Sequence, residues 1–119
     1  MHKLEVDAAA LKQIFIGEKT IEGRLGKPEY LKIRVGDHIQ FQEVTSQKRQ
    51  GAYNAPALTT VKQLLYFESF EDMLHSVNFQ NVIPNAETVD DVVKTFSKLY
   101  ATQDEYEYGV VAITFALDQ

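Results

Sequence analysis

A charged segment near the start of the chain carries the residue types that could do chemistry. Residues 17–25 read Gly-Glu-Lys-Thr-Ile-Glu-Gly-Arg-Leu, so a lysine, a glutamate and an arginine fall within six residues. Side chains of an extended strand alternate between its two faces. Thr20, Glu22 and Arg24 are therefore predicted to share one face, and the intervening apolar residues to share the other. A carboxylate and a guanidinium two residues apart on one face can address the same ligand.

Glu22 is the central group of this segment. Held near Lys19 and Arg24, its carboxylate stays ionised and can accept a proton or a hydrogen bond from the exocyclic amine of a base. Lys19 and Arg24 are predicted to contact phosphate or carbonyl oxygens of the ligand, and Arg24 can do so through two parallel hydrogen bonds. If the protein is an enzyme, Lys19 and Glu22 are the candidate catalytic residues. The alternative is an ion pair with no function.

Further candidate ligand contacts lie around the same segment. Thr20 adds a hydroxyl, and Lys27 belongs to a local excess of positive charge, with five basic and two acidic residues from 19 to 34. Tyr53, in a polar loop, and Tyr108, before the last strand, could stack on a base. These residues predict a site for a small anionic ligand or a short stretch of RNA, unless the charges form an ordinary solvated surface.

Composition sets the broad class of the protein. The chain has 119 residues, which suits a single domain over 1–119, and its net charge of −5 argues against nonspecific binding of nucleic acid. It has no cysteine, and its three histidines are far apart in sequence, so we expect no metal site and no cofactor. The chain shows neither a signal peptide nor a long apolar run, which predicts a cytoplasmic protein that does not contact a membrane.

The pattern of apolar, turn and capping residues predicts the elements that position these groups. Strands are expected at 2–6, 19–25, 38–42, 57–67 and 109–117, and a polar loop at 46–56. Helices are expected at 8–16, after an N-cap at Asp7, and after N-caps at Ser69 and Thr88. Strands outnumber helices and do not alternate with them, so the predicted fold is mainly β or α+β, a small curved sheet or barrel closed by short helices.

Three apolar stripes indicate which faces are buried. The long strand is predicted to bury Val61, Leu65 and Phe67, and the last strand Val111, Ile113, Phe115 and Leu117. The helix after Thr88 carries a stripe at helical spacing, formed by Val89, Val92, Val93, Phe96, Leu99 and Tyr100.

Four segments resemble the ASCH domain, a family related to the PUA-like barrels. They are GEKTIEGRL at 17–25, VGDHIQF at 35–41, YFESFEDML at 66–74 and EYGVVAI at 107–113, in the family's order. The resemblance implies a PUA-like small β-barrel with short peripheral helices and a cleft lined by the K-x-x-E-x-R residues. It also implies binding of RNA or of a nucleotide-like small molecule.

The resemblance also raises an enzymatic alternative. One branch of the family hydrolyses acetylcytidine nucleosides with the signature lysine, a threonine three residues later and a distant glutamate. Here Glu22 stands at the threonine position, and Glu87 lies near the region of the distant glutamate. The leading hypothesis is therefore an RNA- or nucleotide-binding domain. The alternatives are a hydrolase acting on RNA or a modified nucleoside, which includes a ribonuclease, and a module that binds a protein partner.

Overall fold

The computed structural model describes residues 1–44 and 55–118 of the protein. In chain order the elements are β1 (His2–Val6), α1 (Ala8–Phe15), β2 (Ile21–Leu25), α2 (Pro28–Leu31), β3 (His38–Glu43), β4 (Ala57–Phe67), α3 (Phe70–Ser76), α4 (Val89–Leu99), α5 (Thr102–Tyr108) and β5 (Val110–Leu117), with a 3-10 turn at Phe79–Asn81 between α3 and α4.

The five strands form one curled sheet, a half-barrel of the PUA-like kind. Their order is β1-β3-β4-β5-β2, so β1 and β2 form the two edges although they are close in sequence. β1 runs parallel to β3, and the other neighbouring pairs are antiparallel. The charged segment at residues 17–25 therefore includes an edge strand, β2, which pairs on one side only.

Apolar side chains cover both faces of this sheet. β5 shows the alternation: Val111, Ile113 and Phe115 join one buried cluster with α1, whereas Val110 and Ala112 join a second cluster with α3 and α4. Because successive side chains of a strand point to opposite faces, the two clusters lie on opposite sides of the sheet. The stripe predicted for the last strand is confirmed.

The predicted face of β4 is wrong in its second half. The pairing with β5 shifts register between Val61 and Gln63, which leaves Lys62 as an extra residue. A bulge of this kind reverses the alternation of side chains along the strand. Leu64 therefore packs against the first cluster, and Leu65 is exposed.

The helix starts follow the capping residues that the sequence indicates. The side chain of Asp7 accepts a hydrogen bond from the Ala10 amide, and Ser69 and Thr88 accept bonds from the third amide after each. Helix α5 was not predicted, because its N-cap is Ala101, which has no capping side chain, and none of its residues is buried. Helix α2, which is a single helical turn, was not predicted either.

Helices of the described residues are all too short or too polar to cross a membrane.

Candidate functional site

β2 directs two charged side chains towards the face of the sheet that carries the first apolar cluster. Glu22 pairs with Ile113 of β5 and Arg24 pairs with Val111, and both partners belong to the first apolar cluster. Paired residues point to the same face, so Glu22 and Arg24 lie together on that face. This arrangement confirms the alternation predicted for the segment, although the strand begins at Ile21 rather than at residue 19.

Lys19 lies just before β2 and is almost fully buried, with 6% of its surface exposed. Its Nζ donates to the carbonyl of Ile21 at 2.9 Å and to that of Val82 at 2.7 Å, and lies 3.0 Å from Glu22 Oε1. An ammonium has three N–H groups, and each of these has an acceptor. Lys19 therefore connects the start of β2 to the segment before α4 through hydrogen bonds to both.

Arg24 joins the two edges of the sheet. Its Nε donates to Glu22 Oε2 at 2.6 Å, and its Nη2 donates to the backbone carbonyl of Glu5 in β1 at 2.7 Å. Its Nη1 donates to the hydroxyl of Tyr30 at 3.2 Å, and the guanidinium carbon lies 5.5 Å from the centre of the Tyr30 ring. One side chain thus connects β2, β1 and α2.

The charges of this group reinforce one another. Burial, the largest influence on Glu22, would raise its pKa, but the charges and hydrogen bonds of Lys19 and Arg24 outweigh it, so the pKa of Glu22 is lowered. Burial would likewise lower the pKa of Arg24, yet Glu22 raises it. Glu22 is therefore a carboxylate at neutral pH, held between two cations.

These three residues, which we call the charged trio, line a cleft of about 540 Å³. One wall belongs to α1 and includes Ala9, Ala10 and Gln13. Another is formed by Thr95, Phe96 and Leu99 of α4 and by Tyr100, the residue after it. The volume is in the range of small-molecule sites in proteins.

The aromatic wall of the cleft is made by the end of α4. Tyr100 and Phe96 stack on Phe70, with ring centres 4.7 and 4.5 Å apart, and all three rings are close to parallel. Burial raises the pKa of Tyr100. Tyr100 lines the same cleft as the charged trio. Sequence reasoning assigned Phe96, Leu99 and Tyr100 only to a core stripe. The feature of the sequence that could have indicated this wall is the position of these three apolar residues at the end of a predicted helix.

Leu99 corrects the stripe predicted for α4. Val92 and Phe96 are buried, whereas 67% of Leu99 is exposed and its side chain borders the cleft. The start of the stripe therefore packs into the second apolar cluster, and its end borders the cleft.

Several predicted ligand contacts lie away from the cleft. Lys27 lies over the ring of Tyr108, with Nζ 5.7 Å from the ring centre, and neither residue lines the cleft. Thr20 does not line it either, and its backbone joins Asn81 and Phe115. Tyr53 falls outside the described residues. Glu87 borders a separate, smaller hollow beside α4.

Among the described residues, those that line the cleft carry no excess of positive charge. Lys19 and Arg24 are its cations, and Glu5, Asp7 and Glu22 are its carboxylates. The remaining basic residues of the 19–34 segment, Lys27, Lys32 and Arg34, do not line it. The local excess of lysine and arginine counted along the sequence is thus not gathered around the charged trio.

A smaller cavity of about 240 Å³ lies on the far side of Arg24, between β1 and α2. Arg24 and the Glu5 backbone to which it bonds border both spaces. Across residues 1–44 and 55–118, no three histidine or acidic side chains gather where they could hold a metal ion.

Comparison with known proteins gives a consistent result. A family model described as the ASCH domain matches residues 4–118. The crystal structure of hypothetical protein PH0355, from Pyrococcus, is 28% identical and superposes with a TM-score of 0.81, over 98% of this chain and 97% of that chain. The solution structure of protein PF0455 from Pyrococcus furiosus is 27% identical, with a TM-score of 0.72, over 98% and 96% respectively. No curated protein sequence matches.

Proposed function

This chain belongs to the ASCH domain family, which is generally RNA-binding-like, and we propose that its cleft binds an RNA segment or a nucleotide-like small molecule by its base. The observation that carries the proposal is that an ionised carboxylate, Glu22, and an aromatic residue, Tyr100, line the same cleft. A flat base stacks on an aromatic ring, and its polar edge meets the carboxylate.

The charged trio favours contact with a base over contact with a phosphate. Lys19 has no free N–H group, so within the charged trio only the two N–H groups that Arg24 leaves unused could donate to a phosphate. A phosphate there would face the negative charge of Glu22, which repels it. A base instead offers neutral N–H donors to that carboxylate.

The same geometry favours binding over hydrolysis. Glu22 cannot serve as a general acid at neutral pH, because its lowered pKa keeps it deprotonated. The lowered pKa also makes it a weak general base. Lys19, the other candidate catalytic residue, is held by three acceptors and would have to break these bonds to reach a substrate.

Two matched variants of α4 test the proposal. Thr95 lines the cleft and Ser97 does not, although both are exposed and each hydroxyl donates to the carbonyl four residues earlier. Thr95→Trp adds a bulky ring at the cleft and leaves the three residues of the charged trio unchanged, so we expect it to weaken binding of nucleoside monophosphates or short RNAs roughly tenfold or more. Ser97→Trp should bind like the unaltered protein. Binding is measured by calorimetric titration, and thermal unfolding checks that both variants fold.

Equal binding by the Thr95→Trp and Ser97→Trp variants would place any ligand elsewhere on the protein. Absence of binding to every nucleotide and RNA tried with the unaltered protein would also contradict the proposal.

A further inference from the structure

The acceptor sites that remain on Glu22 limit the base that can pair with it. An ionised carboxylate has about four acceptor sites, two on each oxygen. Among the described residues, Lys19 takes one site on Oε1 and Arg24 takes one site on Oε2. One acceptor site therefore remains on each oxygen. The side chain is 12% exposed, and it lines the cleft.

A ligand that uses both remaining sites needs two donors side by side. The Watson–Crick edge of guanine has this pattern, because N1–H and the N2 amine are adjacent. Adenine and cytosine each present one donor nitrogen on that edge, the exocyclic amine, and uracil presents N3–H alone. Building on the proposed function, we infer that the cleft prefers guanine, with N1–H and N2–H donating to the two oxygens of Glu22.

Arg24 can donate to guanine O6, the group next to N1–H on the Watson–Crick edge. Its Nη1 and Nη2 atoms carry two N–H groups each, and each atom uses one, for Tyr30 and for the Glu5 carbonyl. One N–H on each atom is left to donate. Guanine O6 is an acceptor next to N1–H, so a base whose N1–H donates to Oε2, the oxygen that Arg24 also contacts, places O6 on the arginine side of the carboxylate.

Other bases leave the floor of the cleft incompletely paired. A uracil or cytosine can place its one donor nitrogen at one oxygen of Glu22. The atom of the base next to that donor is an acceptor, so the second oxygen of Glu22 gains no hydrogen bond from the base. A carboxylate oxygen that loses its water to a base and gains no donor from it weakens binding, and the bonds lost here are to a charged group. Stacking on Tyr100 adds to the affinity of every base and so does not select among them.

The test changes the ligand rather than the protein, so it does not depend on the folding of a Glu22 variant. Guanosine, inosine and 1-methylguanosine monophosphates share the ribose and the phosphate, but inosine lacks the N2 amine and 1-methylguanosine lacks N1–H. We expect each of these two to bind roughly tenfold to a hundredfold more weakly than guanosine monophosphate. Adenosine, cytidine and uridine monophosphates should also bind more weakly, and Thr95→Trp should weaken the binding of guanosine monophosphate.

The outcomes separate this inference from the proposed function. If inosine or 1-methylguanosine monophosphate binds as tightly as guanosine monophosphate, or another base binds more tightly, the preference for guanine is wrong. If guanine is not preferred but Thr95→Trp still weakens binding of the monophosphates, the proposed function holds and only the preference for guanine is wrong. If no monophosphate binds in the cleft, both are wrong.

Discussion

The ammonium of Lys19 is used entirely within the protein. Its three acceptors are the carbonyls of Ile21 and Val82 and the carboxylate of Glu22. The sequence predicts Lys19 as a contact to phosphate or as a catalytic group, because a lysine in a charged segment offers both. Its burial gives it a different part in the site: it keeps Glu22 ionised and in place, and Glu22 is the residue that we propose contacts the ligand.

Removing the positive charge of Lys19 should destabilise the fold. We expect Lys19→Met to lower the free energy of unfolding by about 3–5 kcal/mol, because it leaves Glu22 buried with one cation instead of two and leaves the Val82 carbonyl without its donor. The measurement is urea denaturation at neutral pH.

Lys94→Met is the matched control, since Lys94 is exposed on α4. Its effect should stay within about 0.5 kcal/mol. If the two variants unfold at the same urea concentration, Lys19 does not hold the site together.

At the level of elements, two glycines allow close packing of β2 and of the residue that follows it. Gly23 in β2 packs close to α3, and Gly26, just after β2, packs close to the end of α5. A Cβ atom added to Gly23 would lie 2.8 Å from Cε of Met73 in α3. A Cβ atom on Gly26 would lie 2.6 Å from the backbone oxygen of Tyr108, at the end of α5. The first neighbour is the end of a flexible side chain, whereas the second is backbone fixed by the hydrogen bond from Gly26 N–H to Gly109.

This difference predicts unequal effects of the same substitution. Gly26→Ala should lower the free energy of unfolding by about 1–3 kcal/mol, because backbone must move to admit the methyl group. Gly23→Ala should cost less, because Met73 can adopt another rotamer. Thermal and urea unfolding of the two variants measure both values, and a larger loss for Gly23→Ala would contradict this account of the junction between β2 and α5.

For the molecule as a whole, the charged trio connects parts of the fold that the sheet leaves apart. β1 and β2 are opposite edges of the half-barrel, and Arg24 spans them by bonding to the Glu5 carbonyl, while Lys19 reaches the segment before α4. Glu22 lies between these two cations and accepts from both. The protonation state of this one carboxylate therefore influences stability across the structure.

The stability of the protein should depend on pH through Glu22. Its pKa in the fold is below the ordinary value of 4.5, so the unfolded chain takes up this proton first as the pH falls. The stabilising contribution is complete above about pH 4.5 and is lost as the pH falls towards the lowered pKa of the folded protein. The difference in free energy of unfolding between the unaltered protein and Glu22→Gln should thus be largest near neutral pH and shrink below pH 4.5.

An exposed glutamate provides the comparison for this pH series. Glu18 lies just after α1 and is exposed, so Glu18→Gln should follow the unaltered protein closely at every pH. A constant difference between Glu22→Gln and the unaltered protein from pH 7 to pH 3 would show that Glu22 is not held ionised by its neighbours.

Local patterns determined the parts of this structure whose interactions are close in sequence. The side-chain oxygens of Asp7, Ser69 and Thr88 reach amides three residues away, so a single segment is enough to predict these helix starts. The alternation of β5 and the shared face of Glu22 and Arg24 follow from the period of a strand. The ASCH family and the half-barrel were also predictable, because four segments carry the family pattern in order.

Only the tertiary structure decided what the charged trio can bind. The Val82 carbonyl that occupies Lys19 is 63 residues away in sequence, and the Glu5 carbonyl that occupies Arg24 is 19 residues away. Tyr100 reaches the cleft from the end of α4, whereas Lys27 and Tyr108 pair with each other elsewhere. The charged segment thus specifies its own face and charges, but its free donors and acceptors depend on partners that only folding brings within hydrogen-bond distance.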